Sequence, residues 1–229
     1  ETIHVERINL VKRKSMGTVV FHGASTPEAI SPDGERVASV STGSGRRGGN
    51  RLDLWNWNGN QPEQLRSFLP FGSEGAIRQV LFLNPDTVLT RSKSGSLSVW
   101  EVGTGRGVWE AEGVGKDADV VLSPGRNVLA LIWGQQILLI DALTGEPRGS
   151  LPEAKFEINA LSFSADGKTL VAGGEGRIQG WNLEDGQAWP NIGMRSAWRP
   201  EPVAFDGGYA LADGWVYDLT NGRPVWAYD

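Results

Sequence analysis

The sequence predicts an all-β chain in which a four-stranded antiparallel unit is repeated five times. One repeated string carries much of this prediction. GSLSVWEVGTGRGVW at 95–109 returns as GRIQGWNLEDGQAW at 176–189 and DGWVYDLTNGRPVW at 213–226, with a weaker copy, QQILLIDALTGEPRG, at 135–149. Each copy reads as a strand, a glycine turn and a second strand. The high glycine content, 31 of 229 residues, likewise indicates many tight turns rather than long helices.

A second motif runs in phase with the first and marks another turn in every repeat. Proline favours the first central position of a turn, and Asp-Gly favours the tight reversal of a hairpin. The copies are ISPDG (30–34), LNPD (83–86), LSPG (122–125), FSADG (163–167) and FDGG (205–208).

Each period therefore contains four short strands, which we call a to d. Strand a precedes the SPDG-type turn, strand b follows it, strand c ends in a large residue, and strand d follows the glycine turn. Four strands in about 40 residues is the pattern of a β-propeller blade. We expect one propeller domain over 1–229, with a half blade formed by strands c and d at 1–24. The five full blades are expected near 25–68, 77–112, 117–152, 156–193 and 198–229.

The end of strand c and the two turn motifs together resemble WD40 repeats over nearly the whole chain. The resemblance is to divergent WD40-like repeats of bacterial proteins, because the Gly-His step survives only as His22-Gly23. The Trp-Asp pair is replaced by Trp55-Asn56, Trp100-Glu101, Ile140-Asp141, Trp181-Asn182 and Tyr217-Asp218. GTGRGVW and TNGRPVW also look like the repeats of quinone-enzyme and outer-membrane-assembly propellers, but the SPDG turns favour WD40.

Composition limits the classes of partner. The net charge of −5 and the pI of about 5.2 do not fit the basic footprint of a nucleic-acid binder. No apolar run reaches the ~18 residues of a membrane-spanning helix, so no membrane partner is expected. The absence of cysteine excludes disulfides and a cysteine nucleophile. We expect a cytoplasmic protein, although the composition also suits the periplasm or secretion.

Six of the ten tryptophans recur at fixed phases of the repeat, which predicts packing between neighbouring sheets. They are Trp55, Trp100 and Trp181 on strand c, and Trp109, Trp189 and Trp226 on strand d. Three others, Trp133, Trp198 and Trp215, fall outside these phases. Of these, Trp133 and Trp198 lie near predicted loops and are candidate exposed anchors.

The sequence offers no catalytic residues, metal ligands or cofactor site. His4 and His22 are the only histidines, and no metal-ligand spacing such as HExxH accompanies them. No nucleophile elbow is present. We therefore expect a non-enzyme without a cofactor. The alternative is a propeller enzyme, either a hydrolase or a protein like the quinone-dependent dehydrogenases.

In the WD40-type topology that the resemblance implies, the b–c and d–a loops share one face, called the top. STGSGRRGGNR at 41–51 lengthens one b–c loop, and NIGMRSAWRPE at 191–201 is the longest d–a connection. Arginine and tryptophan are typical of binding hot spots, and arginine suits capture of carboxylates. The predicted partner-binding residues are Arg46, Arg47, Arg51, Arg91, Lys93, Trp133, Arg195, Trp198 and Arg199.

These features predict a scaffold or sensor module that binds a protein or peptide, acidic in character, on its top face. We expect the module to belong to a larger protein. A third interpretation is structural: an incomplete ring would leave exposed edges and apolar faces, which drive self-association.

Overall fold

The computed structural model describes residues 2–9, 13–22, 25–42, 50–57, 62–73, 75–114, 120–133, 136–194 and 200–227. It contains five four-stranded antiparallel sheets and an N-terminal two-stranded hairpin. The predicted all-β class, the number of full sheets and the two-stranded N-terminal element are confirmed. The serial arrangement is consistent with a propeller. The chain divides into two compact units, Glu1–Gly113 and Val114–Asp229, and each is described by itself.

The first unit contains the hairpin and two sheets, which we call sheet 1 (β3–β6) and sheet 2 (β7–β10). Its strands are β1 (Thr2–Asn9), β2 (Lys14–His22), β3 (Ser25–Ile30), β4 (Arg36–Thr42), β5 (Asn50–Asn56), β6 (Glu63–Phe68), β7 (Ile77–Asn84), β8 (Thr87–Ser92), β9 (Leu97–Glu101) and β10 (Gly107–Ala111).

The second unit contains sheet 3 (β11–β14), sheet 4 (β15–β18) and sheet 5 (β19–β22). Its strands are β11 (Val121–Leu122), β12 (Val128–Trp133), β13 (Gln136–Asp141), β14 (Pro147–Ser150), β15 (Ala160–Phe163), β16 (Thr169–Gly174), β17 (Arg177–Asn182), β18 (Ile192–Gly193), β19 (Val203–Phe205), β20 (Tyr209–Ala212), β21 (Trp215–Asp218) and β22 (Arg223–Ala227).

In every sheet the four strands pair in chain order, a beside b, b beside c and c beside d. The turn motifs explain the short connections between strands. Where the a–b turn begins with a serine, the hydroxyl of that serine hydrogen-bonds across the turn and stabilises it. The Oγ–H of Ser164 donates to Asp166 at 2.6 Å, while its oxygen accepts the backbone N–H of Thr169 at 2.9 Å. Ser31 makes the same two bonds, to Asp33 at 2.5 Å and from Arg36 at 2.9 Å.

The core of each unit lies between successive sheets. In the first unit, Ala38 and Leu54 of sheet 1 pack with Val80 and Phe82 of sheet 2. In the second unit, one cluster joins sheets 3 and 4 and another joins sheets 4 and 5. Within the described residues, no helix is both long and apolar enough to span a membrane.

The predicted packing role of the six phased tryptophans holds for most of them but not for all. Trp181 is fully buried in the core between sheets 3 and 4. Trp100 is partly buried, and its ring lies 5.0 Å from that of Phe68. Trp226 is an exception: it is 55% exposed, so the prediction of packing is wrong for this residue. Trp57, which does not recur at a fixed phase of the repeat, is also a core residue: it is 1% exposed and packs with Val37.

Candidate functional site

The structure locates four of the nine predicted binding residues. The other five, Arg46, Arg47, Arg195, Trp198 and Arg199, lie outside the described residues.

Arg91 is a fully buried residue of β8 rather than an exposed anchor. It pairs with Gln79 and Leu97 on the two neighbouring strands. Strand β8 is buried on both faces, so a side chain at any of its inner positions is enclosed. A polar turn, Ser92 to Gly95, follows Arg91 directly. Its neighbourhood in the sequence therefore suggested an accessible side chain. A buried arginine is not available to a docking partner.

Arg51 and Lys93, also in the first unit, are exposed. The guanidinium of Arg51 donates a hydrogen bond of 2.8 Å to Oγ of Ser67 on β6. The backbone N–H of Lys93 donates to the carbonyl of Ala76 at 2.9 Å, which anchors the b–c turn of sheet 2. Both residues therefore have the exposure that the prediction requires.

Two half-exposed tryptophans flank b–c turns in the second unit. Trp133, predicted as an exposed anchor, is 46% exposed at the end of β12. Trp215 is 45% exposed at the start of β21 and was not among the predicted binding residues. Two features of the sequence could have indicated that Trp215 is exposed. It is out of phase with the core tryptophans, and it comes directly after Asp213-Gly214.

The Asp213-Gly214 turn sets the backbone position of Trp215. Ala212 and Trp215 are directly paired, so only two residues form the turn. Asp213 and Gly214 have φ angles of 50° and 74°, the left-handed pair that a type I′ hairpin turn requires. The half-exposed indole is thus carried by a tight two-residue hairpin.

A cavity of about 400 Å³ lies beside Trp215. It follows β21 from the b–c turn towards the c–d turn and is bounded on the other side by the last strand of sheet 4. Its lining residues are Asn191, Ile192, Gly193, Asp213, Trp215, Tyr217, Gly222 and Pro224. This lining combines aromatic and apolar surface with a few polar groups, which is the usual composition of a ligand site.

Asn191, one of the lining residues, carries a hydrogen-bond acceptor that the described residues leave unused. Its Oδ1 atom is buried and has no hydrogen-bond partner among the described residues. A buried carbonyl oxygen without a donor costs about 1–3 kcal/mol, so a donor brought by a ligand would be favoured here. The exposed Asp213 carboxylate adds negative charge to the same lining. The cavity therefore suits a group that donates hydrogen bonds, and a cation better than an anion.

The c–d turn at the other end of the cavity is fixed by Asp218. Its carboxylate accepts from Nδ2 of Asn221 at 2.6 Å and from Oγ1 of Thr220 at 2.7 Å. The Asn221 bond, followed by the Thr220 bond, holds the pKa of Asp218 below its ordinary value. This carboxylate stabilises the turn that carries Gly222 and Pro224.

No group of three histidine, aspartate or glutamate side chains converges within the described part of the chain in a way that could hold a metal ion. No protein-family model matches the sequence, and the search of curated proteins gives no match.

Proposed function

We propose that the chain is a protein- or peptide-binding module of the WD40-like propeller type. The observation that carries this proposal is the cavity beside Trp215, which is also lined by Asn191, a residue whose buried Oδ1 has no partner among the described residues. Exposed tryptophans are frequent energetic centres of interfaces, and a rigid hairpin lowers the entropy lost on binding.

The cavity is of a size to take one or two side chains of a peptide. An arginine, lysine or side-chain amide would donate to Asn191 Oδ1, and a guanidinium would also stack on the indole of Trp215. The apolar wall of Ile192 and Pro224 would cover the aliphatic part of such a side chain. The acidic partner predicted from the sequence depends on arginines outside the described residues and remains a separate prediction.

A peptide library displayed on phage, selected against the intact chain, tests this proposal. Enriched peptides would then be synthesised, and their affinities measured by fluorescence polarisation. We expect a shared donor side chain in these peptides and a loss of about tenfold or more in affinity with Trp215→Ala, as for a hot spot. Asn191→Leu, which removes the acceptor, should weaken binding as well.

Trp133→Ala is the matched control, because Trp133 has nearly the same exposure as Trp215 and also flanks a b–c turn but does not line the cavity. Unchanged affinity with Trp133→Ala supports the cavity. Equal losses with both variants would assign binding to the whole row of b–c turns and overturn the cavity assignment. If the library yields no peptide, or if affinities survive both changes at the cavity, the proposal is wrong.

A further inference from the structure

The c–d turn of sheet 5 contains an asparagine that is followed directly by a glycine, Asn221-Gly222. Asparagine is a thermolabile residue. It is most reactive before glycine, because glycine has no side chain to hinder attack by its backbone nitrogen on the neighbouring carboxamide. Of the asparagines that the structure describes, Asn221 alone precedes a glycine, and it is exposed to water.

The c–d turns of sheets 2, 3 and 4 share a backbone hydrogen bond at their turn glycine. The glycine N–H donates to the carbonyl of the residue four positions earlier, and the pairs are Gly105 to Glu101 at 2.7 Å, Gly145 to Asp141 at 2.9 Å and Gly186 to Asn182 at 2.8 Å. Within the described residues, Gly222 makes no such bond to Asp218. The nitrogen that would attack Asn221 is therefore free of the bond that engages its counterparts.

Sheet 3 provides nearly the same turn with this glycine bond intact. Thr144 takes the place of Asn221 there, and its backbone N–H donates to Oδ1 of Asp141 at 3.0 Å. The backbone N–H of Asn221 likewise donates to Oδ1 of Asp218 at 3.1 Å. The two turns thus share the carboxylate bond and differ in the bond of the glycine.

The carboxamide of Asn221 stabilises its own turn. Its Nδ2 donates to Oδ2 of Asp218 at 2.6 Å, and this bond is the largest cause of the lowered pKa of Asp218. A carboxylate in place of the amide would remove the donor and set a second negative charge beside Asp218, which is unfavourable.

The same turn forms one wall of the cavity through Gly222. A Cβ added at Gly222 would lie 3.1 Å from Cβ of Pro190, so the turn packs closely against the segment that leads into β18. A rearrangement of this turn would therefore change the shape of the cavity.

We propose that Asn221-Gly222 is a site of spontaneous deamidation that loosens this turn. The backbone nitrogen of Gly222 bonds to Cγ of Asn221, the Cγ–Nδ2 bond breaks, and the proton of the glycine N–H leaves with Nδ2 as ammonia. Water then opens the cyclic imide at either carbonyl, which gives aspartate or isoaspartate. The net reaction consumes water, releases ammonia and includes no oxidation or reduction. Isoaspartate also inserts Cβ into the main chain of the turn.

The reaction and its effect on the turn are independent of the proposed peptide binding. Only the regulation of peptide affinity by the reaction rests on that proposed function. The two therefore need separate measurements.

A chain with Thr144→Asn tests the reactivity of the site, because it carries an Asn-Gly pair in both turns. The chain would be incubated at physiological pH and temperature, and peptide mapping by mass spectrometry would follow both positions in the same sample. We expect deamidation to be several-fold faster at position 221 than at position 144. Circular dichroism checks that the variant folds, and Thr104→Asn makes the same comparison in sheet 2 if it does not.

Hydrogen exchange tests the effect on the turn. The deamidated chain gains a negative charge, so ion exchange separates it from the unmodified chain. We expect several-fold faster exchange of the backbone amides at 219–223 in the deamidated fraction, while the equivalent turn of sheet 3 should exchange at the same rate in both fractions.

Deamidation at position 221 that is no faster than at position 144 overturns the proposal, because the turn of sheet 5 would then not favour the reaction. Unchanged exchange at 219–223 in the deamidated fraction overturns the assigned loosening. If the site reacts and the turn loosens but selected peptides bind with unchanged affinity, the modification site is supported and its regulation of peptide binding is excluded.

Discussion

The indole Nε1–H of Trp100 donates a hydrogen bond of 2.8 Å to Oγ1 of Thr90, which is fully buried on the neighbouring strand. Sheet 1 repeats the bond between Trp55 and Ser39 at 2.9 Å. In sheet 4 the position of these hydroxyls is taken by Ala172, and Trp181 instead donates to the carbonyl of Pro152 at 3.1 Å. Each of these strand-c tryptophans thus donates its indole N–H to an acceptor, a hydroxyl of strand b where one is present and a backbone carbonyl where it is not.

Replacing Thr90 tests the weight of this bond. Thr90→Val keeps the shape but leaves the Trp100 N–H without its acceptor, which should lower the free energy of unfolding by about 1–3 kcal/mol. Urea unfolding followed by circular dichroism measures the change. In the double variant with Trp100→Phe, the cost should be smaller than the sum of the two single costs, because no donor is left unsatisfied. Strict additivity would show that the bond contributes nothing to stability.

Because of Asp141, the free energy of unfolding of the second unit should change with pH in the acid range. The hydrogen bond from Arg148, at 2.6 Å, followed by those from the backbone N–H groups of Thr144 and Leu143, lowers its pKa to about 2. An unfolded aspartate has a pKa of about 3.9. Because the folded value is the lower one, the carboxylate stabilises the fold above about pH 4, and this contribution is lost as the pH falls towards about 2.

Asp141→Asn should therefore lower the free energy of unfolding at neutral pH, and the difference from the unmodified chain should shrink below about pH 4. Arg148→Gln keeps the two backbone bonds and should give an intermediate pH dependence. Urea titrations at a series of pH values provide the measurement. Parallel stability profiles for Asp141→Asn and the unmodified chain would contradict the role assigned to this carboxylate.

The buried Trp181 should contribute far more to the free energy of unfolding than the half-exposed Trp133. Trp181→Ala empties a fully buried site and should cost about 3–5 kcal/mol. Trp133→Ala, at a residue 46% exposed, should cost no more than about 1 kcal/mol. Thermal and urea unfolding of the two variants compare them directly. Similar losses would mean that Trp133 also packs in the core.

Gly180 should not tolerate a side chain. An added Cβ would meet the ring of Trp189 at 2.7 Å and Cδ1 of Leu219 at 2.9 Å, so Gly180→Ala should cost about 1–3 kcal/mol through overpacking. Gly193 is the matched control, since a Cβ there meets nothing within 4 Å. Gly193→Ala should leave the urea midpoint nearly unchanged. Equal behaviour of the two variants would refute the close approach of Trp189 and Leu219 to Gly180.

The sequence alone determined the class and repeat of this fold, because both depend on local chemistry. Ser-Pro-Asp-Gly turns and Asp-Gly reversals act within a few residues, so the four-strand period and the N-terminal hairpin could be read directly. Burial could not be read in the same way. Arg91 follows strand residues and precedes a polar turn, yet it is enclosed because β8 is covered on both faces.

Only the tertiary structure decided which of the phased tryptophans are exposed and where a ligand can enter. Trp189 and Trp226 stand at the same phase of the repeat, but Trp189 packs with the core that sheet 5 completes, while Trp226 remains 55% exposed. The cavity beside Trp215 likewise brings together Asn191 and Pro224, which are distant in the chain. Exposure and cavities depend on which sheet covers which face, and that is a property of packing between repeats rather than of any single repeat.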